Sequence, residues 1–198
     1  MNKNDLLKMI AQKGYDVGFG AKKHFATYDI IEKAPGWIGF ASTTVGVLGL
    51  VFDSLSTKLI SAVFVIVGVS GLYISFYNHE KQTYDDTGTK IIRLCNELKA
   101  LYFTVKGLPD NSNFQPYIDQ LNEIENRYYS YSISKQILAS NWYAHYKFFW
   151  EHQIDWMDEQ LHFKLFKDKI PLSFMLFFLL VILIILVYIL NCYLPFIC

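Results

Sequence analysis

Three stretches without a charged side chain limit most strongly what this chain can fold into. They cover residues 34–52, 59–78 and 170–198. About 20 consecutive apolar residues are needed to cross the hydrocarbon core of a bilayer as a helix, and each stretch is about that long. A core helix of a soluble protein is not expected to be apolar on every face over such a length. The sequence therefore predicts an all-α integral membrane protein with three transmembrane helices.

The spacing of these stretches predicts the order of the parts. A short polar turn, Asp53 to Lys58, joins the first two stretches, so they must form an antiparallel hairpin. About ninety mostly polar residues separate the hairpin from the third stretch. The predicted parts are N-terminal cytosolic helices (1–33), a transmembrane helical hairpin (34–78), a cytosolic helical bundle (79–169) and a C-terminal transmembrane helix with a short outer tail (170–198).

The distribution of lysine and arginine predicts the orientation. Of the 18 basic residues, six precede residue 34, one (Lys58) lies in the hairpin turn and eleven lie between residues 79 and 169. None follows the third stretch. Because cytoplasmic loops of membrane proteins carry an excess of Lys and Arg, we expect the N-terminus and residues 79–169 in the cytosol. The hairpin tip and the C-terminus are then expected outside.

Small and hydroxylated side chains distinguish the hairpin from the third stretch. Small residues let helix backbones approach closely, and hydroxyls can bond across a helix interface or face water in a pore. Both interpretations stay open from composition. No Asp, Glu, Lys, Arg or His lies within a span, which argues against an ion-coupled transporter. The candidates for pore lining are Ser42, Thr43, Thr44 and Ser61, and those for helix packing are Gly39, Gly46, Gly49, Gly68 and Gly71.

The third stretch has almost no small or polar residue after Ser173, so we expect it to face lipid at the periphery. The chain has three cysteines, without the spacing of a zinc site or a disulfide framework. Cys192 and Cys198 are expected either to lie as apolar residues near the lipid interface or, in an oxidising compartment, to form a disulfide bond.

Apolar periodicity predicts the cytosolic helices. Residues 91–105 place their apolar side chains on one face of a helix, and a second helix is predicted from about Pro116. A long helix is predicted from about residue 134 to residue 169. Near the N-terminus, Gly14, Gly18 and Gly20 are expected to break the helix, and Pro35 to kink or restart it at the membrane.

The region from Tyr128 to Trp156 is rich in aromatic residues. It is predicted either to stack on nucleobases or to form a subunit interface and a membrane-proximal belt. His152, Asp155, Glu159 and His162 share one helix face in this region if the helix is continuous, so either a metal site or an exposed acidic face is possible. Since no catalytic motif is present, we expect neither an enzyme nor a cofactor.

The order of these parts resembles a known family. A cytosolic helix reads Gly20-Ala-Lys-Lys-His-Phe-Ala-Thr-Tyr-Asp-Ile-Ile-Glu-Lys33 and enters a hairpin that contains Trp37. The following cytosolic region begins Tyr77-Asn-His-Glu-Lys-Gln82. The chain therefore resembles the SLATT domain, the two-span effector of bacterial nucleotide-signalling conflict systems. The third span is an addition to that two-span core.

The resemblance implies a homo-oligomeric, pore-forming antiphage effector in the bacterial inner membrane, surrounded by lipid. Its signal would be a nucleotide or oligonucleotide made by a neighbouring nucleotidyltransferase, or a partner protein. For a phosphate-bearing signal the candidate contacts are cytosolic cations, whose alternative role is surface solubility. The alternative function is a non-conducting scaffold or sensor that recruits partners through its cytosolic helices. The candidate cations are Lys22, Lys23, Arg93 and Arg127.

Overall fold

The computed structural model describes residues 2–193 of the chain, with side chains through residue 190. These residues form seven α-helices joined by turns and short 3₁₀ or π segments, and they contain no β-strand, as the sequence predicts. The helices are α1 (Lys3–Gly49), α2 (Lys58–Ser75), α3 (Lys81–Gly107), α4 (Gln115–Tyr131), α5 (Ser140–Phe149), α6 (Asp155–Leu161) and α7 (Leu172–Tyr193).

Helix α1 runs without interruption through both the hairpin and the part of the chain that is predicted to be cytosolic. That part, residues 2–33 and 79–169, is called the cytosolic domain. The 47 residues of α1 correspond to a rod of about 70 Å at 1.5 Å per residue. The Asn2 side chain caps its start by accepting the Asp5 backbone N–H at 2.8 Å. The helix continues through Pro35, so the predicted restart at this proline is wrong, and so are the breaks predicted at three earlier glycines.

Those three glycines are sites of close helix packing. A Cβ atom at any of them would lie within 3.0 Å of an aromatic side chain from another part of the cytosolic domain. The absence of a side chain therefore lets an aromatic group approach the backbone of α1. The contacts pair Gly14 with Trp156, Gly18 with Phe148 and Gly20 with Tyr128.

The first part of α1 is the central helix of the cytosolic domain. It packs against α3, α5 and α6, and α4 covers α3. The apolar face predicted for residues 91–105 is confirmed, because Ile91, Leu94, Leu98, Leu101, Tyr102 and Val105 are all buried. They join side chains from α1, α4, α5 and α6 in one core, which includes Leu6, Ile10, Val17, Ile124, Phe148 and Met157.

The single long helix predicted for residues 134–169 is wrong. Two left-handed residues, Ala139 at φ 67° and His162 at φ 51°, lie in this region. Ala139 separates an extended segment from α5, and His162 separates α6 from a π-helical turn at Leu165–Lys169. These turns let Phe148 and Trp156 reach the glycines of α1 from two short helices. Tertiary packing overrides local helix preference here.

The hairpin consists of residues 34–49 of α1 and the antiparallel helix α2. Their facing side chains are half-buried, and the Ser56 hydroxyl donates to the Gly49 carbonyl oxygen at 2.6 Å in the turn. The interface is formed by Ile38, Ser42, Val45 and Gly49 against Ile60, Phe64, Val67, Gly71 and Ile74.

Two described helices, α2 and α7, are long and apolar enough to cross a membrane. Residues 34–49 of α1 are uncharged but richer in glycine and hydroxyl groups, and they do not meet the same measure. The first of the three predicted spans therefore stays a prediction.

Helix α7 meets the cytosolic domain at Trp142. The Trp142 indole N–H donates to the Ser173 hydroxyl at 3.0 Å, and its ring packs against Phe174 and Phe177. Beyond this contact, the large apolar side chains of α7 are about half exposed through residue 190, as expected for a helix facing lipid. The Cys192 side chain and Cys198 lie outside the part of the structure that is described.

Candidate functional site

One open groove follows the hairpin near its tip. Its volume is about 380 Å³, and Ser42, Gly46 and Ser61 line it. Thr43 and Thr44 are exposed outside the groove. The structure thus brings together two of the four hydroxyl residues predicted to line a pore.

Helical periodicity assigns the small residues of the hairpin to one side. With 100° per residue, Gly39 and Gly46 flank the interface on α1, and Ser61 and Gly68 flank it on the same side from α2. Thr44 points to the opposite side. We call this surface, formed by Gly39, Thr43, Gly46, Ser61 and Gly68, the small-residue face.

The five glycines predicted to pack helices fall into two groups. A Cβ atom at Gly71 would contact Ile38 at 3.6 Å, and one at Gly49 would contact the Ser56 hydroxyl at 3.3 Å. At Gly39, Gly46 and Gly68, no heavy atom of the described residues lies within 4 Å of such a Cβ. The first two therefore close the hairpin itself, whereas the other three are open in a single chain.

A second cavity lies in the cytosolic domain, between α3 and the turn that joins α5 to α6. Its volume is about 320 Å³. We call it the basic pocket. It is lined by Cys95, Asn96, Lys99, Glu151, His152, Gln153 and Trp156.

Burial and nearby lysines set the electrostatics of the basic pocket. Burial, together with Lys22 and Lys99, lowers the pKa of His152 to about 4. The same two lysines partly offset the effect of burial on Cys95, whose thiol pKa is raised to about 11. Burial and nearby Lys147 also lower the pKa of the half-buried Lys22, and Glu151 opposes that shift. Lys22 on α1 therefore lies beside the pocket that Lys99 lines.

The other predicted ligand cations are arranged differently. The Arg127 guanidinium forms a two-pronged ion pair with Glu97, one arm at 3.3 Å, and its Nε lies 3.8 Å from Glu123. Arg93 is exposed and Lys23 is partly exposed, and neither lines the basic pocket. Of the four predicted cations, the structure places one, Lys22, beside this cavity.

A larger cavity of about 600 Å³ lies between α1, α4 and the chain after α6. It is lined by the carboxylates of Asp16, Glu125 and Asp168, and its Lys13 ammonium is paired with Glu125 at 2.6 Å. Because its charge is mainly negative and its lysine is already paired, this cavity is unsuited to an anion.

The continuous helix face that would bring His152, Asp155, Glu159 and His162 together does not form. His152 lies in the turn before α6, His162 follows α6 in a left-handed conformation, and Glu159 pairs with Lys106 at 2.7 Å. Over residues 2–193, no three His, Cys, Asp or Glu side chains are grouped to hold a metal ion.

The aromatic region from Tyr128 to Trp156 divides into inner and outer members. Phe148 and Trp156 are buried in the core around α1, whereas Tyr129 and Trp150 are 62% and 66% exposed. The buried rings of this region therefore stabilise the fold of the single chain. Only its exposed rings are free to stack on a base.

Ion pairs secure α1 just before the hairpin. The Asp29 carboxylate accepts from Lys147 of α5 at 2.5 Å and from Lys33 at 2.6 Å. Lys81 at the start of α3 pairs with Glu32 of α1. The cytosolic domain thus holds α1 within one or two turns of residue 34, where the first predicted span begins.

His24 joins α1 to the segment before α5. Its Nε2 accepts the Ile133 backbone N–H at 3.1 Å, so the proton must be on Nδ1, which donates to the Gly20 carbonyl oxygen at 2.7 Å. Burial lowers the pKa of His24 below its ordinary value of 6.5, with a smaller contribution from Lys23. The folded protein therefore favours the neutral ring.

We expect the cytosolic domain to lose stability on mild acidification. A histidine with a lowered pKa takes up a proton more readily when the chain is unfolded, so its stabilisation is complete above pH 6.5 and is lost as the pH falls towards the folded-state pKa. Unfolding of the detergent-solubilised chain between pH 7.5 and 5 measures this loss. A His24→Gln variant should show a smaller loss, and an identical pH profile would contradict the assignment.

Comparison with known proteins identifies the family. No curated protein and no solved structure matches the chain. A family model does match, that of the SMODS and SLOG-associating 2TM effector domain 6, over residues 1–178. This match covers most of the chain, including the whole cytosolic domain and the hairpin. The family expected from residues 20–33 is therefore confirmed, and the chain belongs to the SLATT family of two-transmembrane effector domains of defence systems.

Proposed function

We propose that this chain is a pore- or channel-forming effector of a bacterial antiphage system. In this proposal several copies assemble in the inner membrane, and a nucleotide, an oligonucleotide or a partner protein opens or releases the pore from the cytosolic side. The observation that carries the proposal is the small-residue face of the hairpin, which is open in a single chain. The proposed activity needs no catalytic group.

The chemistry of this face favours contact with another copy. In lipid there is little hydrophobic gain from joining helices, so association depends on close packing and on hydrogen bonds between hydroxyls. Gly39, Gly46 and Gly68 permit that approach, and the hydroxyls of Thr43 and Ser61 flank them. In a ring of hairpins these hydroxyls either bond between copies or line a water-filled path.

The length of α1 supports control from the cytosol. Lys22, beside the basic pocket, precedes residue 34 by twelve residues of one unbroken helix, about 18 Å. The ion pairs of Asp29 hold the intervening turns against α5. A change in the packing of the cytosolic domain against α1 would therefore move the hairpin directly.

A dye-leakage assay on liposomes tests the pore. We expect the purified chain to release dye once it is activated or free of its regulator. We also expect Gly46→Leu and Ser61→Leu to reduce release at least about tenfold, because a leucine on the small-residue face blocks close approach.

Ala41→Leu is the matched control, since residue 41 flanks the hairpin interface on the side opposite Gly46. It should leave release almost unchanged. Equal loss in all three variants would mean that leucine disturbs the hairpin generally, and unchanged release in all three would contradict a pore built on this face.

The alternative function is a membrane-anchored scaffold or sensor. The exposed rings of Tyr129, Tyr146 and Trp150 favour it, because aromatic side chains are enriched at protein interfaces. A scaffold predicts no dye release even when the activating signal is present.

A further inference from the structure

We propose that the basic pocket is a binding site for a soluble phosphate-bearing anion, held by Lys22 and Lys99 beside His152. This inference rests on the proposed function in one respect, namely that the pocket receives the cytosolic signal. The binding itself can be tested separately from the pore.

These two lysines lack a carboxylate partner among the described residues. Other lysines of the cytosolic domain that are largely buried have a carboxylate within 4.0 Å: Lys13 pairs with Glu125, and Lys147 pairs with Asp29. Within residues 2–193, neither Lys22 nor Lys99 has one, although both are partly buried. Holding two positive charges at one partly buried site is unfavourable unless an anion compensates them.

Several hydrogen-bond donors surround the cavity. Asn96 and Gln153 carry amide N–H groups, and His152 is kept neutral by burial and by the two lysines, so it can accept a proton when an anion arrives. Glu151 is the acidic member of the lining, and it is exposed. Phosphate groups bind best where several charged and neutral donors converge in this way.

The size of the basic pocket and its distance from the predicted span favour a small soluble anion. A cavity of about 320 Å³ is at the lower end of the range of small-ligand sites, which suits one or two phosphate groups with little attached to them. Because Lys22 lies about 18 Å along α1 from the start of the predicted span, a lipid headgroup is too far away. The free anion is therefore the occupant to test.

Calorimetric titration of the full chain with inorganic pyrophosphate, in phosphatidylcholine nanodiscs without divalent cations, measures the binding. We expect saturable binding at one site, accompanied by a rise in the pKa of His152 that NMR of its ring detects. Lys22→Gln and Lys99→Gln should each weaken the binding about tenfold or more, since a charged hydrogen bond is lost. The matched controls Lys23→Gln and Arg93→Gln should change it less than about twofold.

Lys22→Arg and Lys99→Arg keep the charge and serve as folding controls that should still bind pyrophosphate. Absence of saturable binding would overturn the proposal, and so would equal binding by the Lys22→Gln and Lys99→Gln variants. Weaker binding in phosphatidylglycerol nanodiscs at equal ionic strength would show that lipid headgroups compete for the site, contrary to the proposal. A chain that leaks dye but ignores pyrophosphate overturns this inference alone, whereas one that binds it without leaking overturns the pore alone.

Discussion

Replacing Gly14 by alanine should lower the free energy of unfolding of the cytosolic domain by about 1–3 kcal/mol. In an exposed helix interior the same change would stabilise by about 1 kcal/mol, because glycine is a poor helix former. Here the added Cβ would lie 2.2 Å from the tip of the Trp156 ring, and that ring is 4% exposed and packed against Tyr102. The indole ring is rigid and lies in a filled core, so it cannot move aside without a shift of α6. The cost of overpacking is therefore larger than the gain in helix propensity.

Urea unfolding in detergent, followed by tryptophan fluorescence, measures the loss. Gly107→Ala is the matched control, because no heavy atom of the described residues lies within 4 Å of a Cβ there and the change should be neutral or slightly stabilising. In a Trp156→Leu background, Gly14→Ala should cost clearly less. If its cost is the same in both backgrounds, the contact between Gly14 and Trp156 does not set the stability.

Asp29→Asn should destabilise the same domain by about 2 kcal/mol, because it leaves the Lys147 ammonium without its carboxylate. The Asp29 and Lys147 side chains are 12% and 15% exposed, so water replaces the lost partner poorly. Lys33, the second partner of Asp29, is 58% exposed, and Lys33→Gln should cost only about 0.5 kcal/mol. Thermal and urea unfolding of the three proteins give the comparison.

A double variant, Asp29→Asn with Lys147→Gln, separates the ion pair from other effects. It should recover part of the stability lost in Asp29→Asn, since no unpaired ammonium is left behind. If the double variant is as unstable as the sum of its single variants, the two groups act independently and the ion pair does not hold α5 on α1.

The helices α3 and α4 could be predicted from the sequence because each has a clear apolar period on one face. Leu94, Leu98 and Leu101 recur at helical spacing, and burial follows directly from that pattern. The apolar character of α2 and α7 is equally clear from the sequence. Lys58 is the only charged residue of α2, and α7 contains none.

The interruptions were predicted in the wrong places, for two physical reasons. A glycine weakens an isolated helix. At Gly14, Gly18 and Gly20, however, the packing of aromatic rings offsets that loss of stability. These rings come from distant parts of the chain, so only the three-dimensional structure reveals the contacts. Conversely, α5 begins after the left-handed Ala139 and α6 ends at the left-handed His162, and an alanine gives no turn signal in the sequence.

Of the residues at the basic pocket, Lys22 is the one predicted from the sequence to contact a phosphate-bearing signal, and the sequence predicts no pocket there. Whether a lysine or an arginine is free or paired depends on carboxylates that are distant in sequence. Arg127, for example, is occupied by Glu97, thirty residues away, and so is not available to a ligand. Lys99 and His152 carry no motif, and they join Lys22 only because α1 passes between α3 and α5.

Since one unbroken helix runs through both the cytosolic domain and the hairpin, the angle of the hairpin about the axis of α1, relative to that domain, is fixed by residue count. One residue inserted between Lys33 and Trp37 would rotate the hairpin by about 100° and shift it by about 1.5 Å along the helix axis. In the proposed assembly, a different side of the hairpin would then face the neighbouring copies. Seven residues would restore nearly the original azimuth with about 10 Å of extra length. In the proposed assembly, the number of residues in this segment would thus matter as much as the identity of any side chain on it.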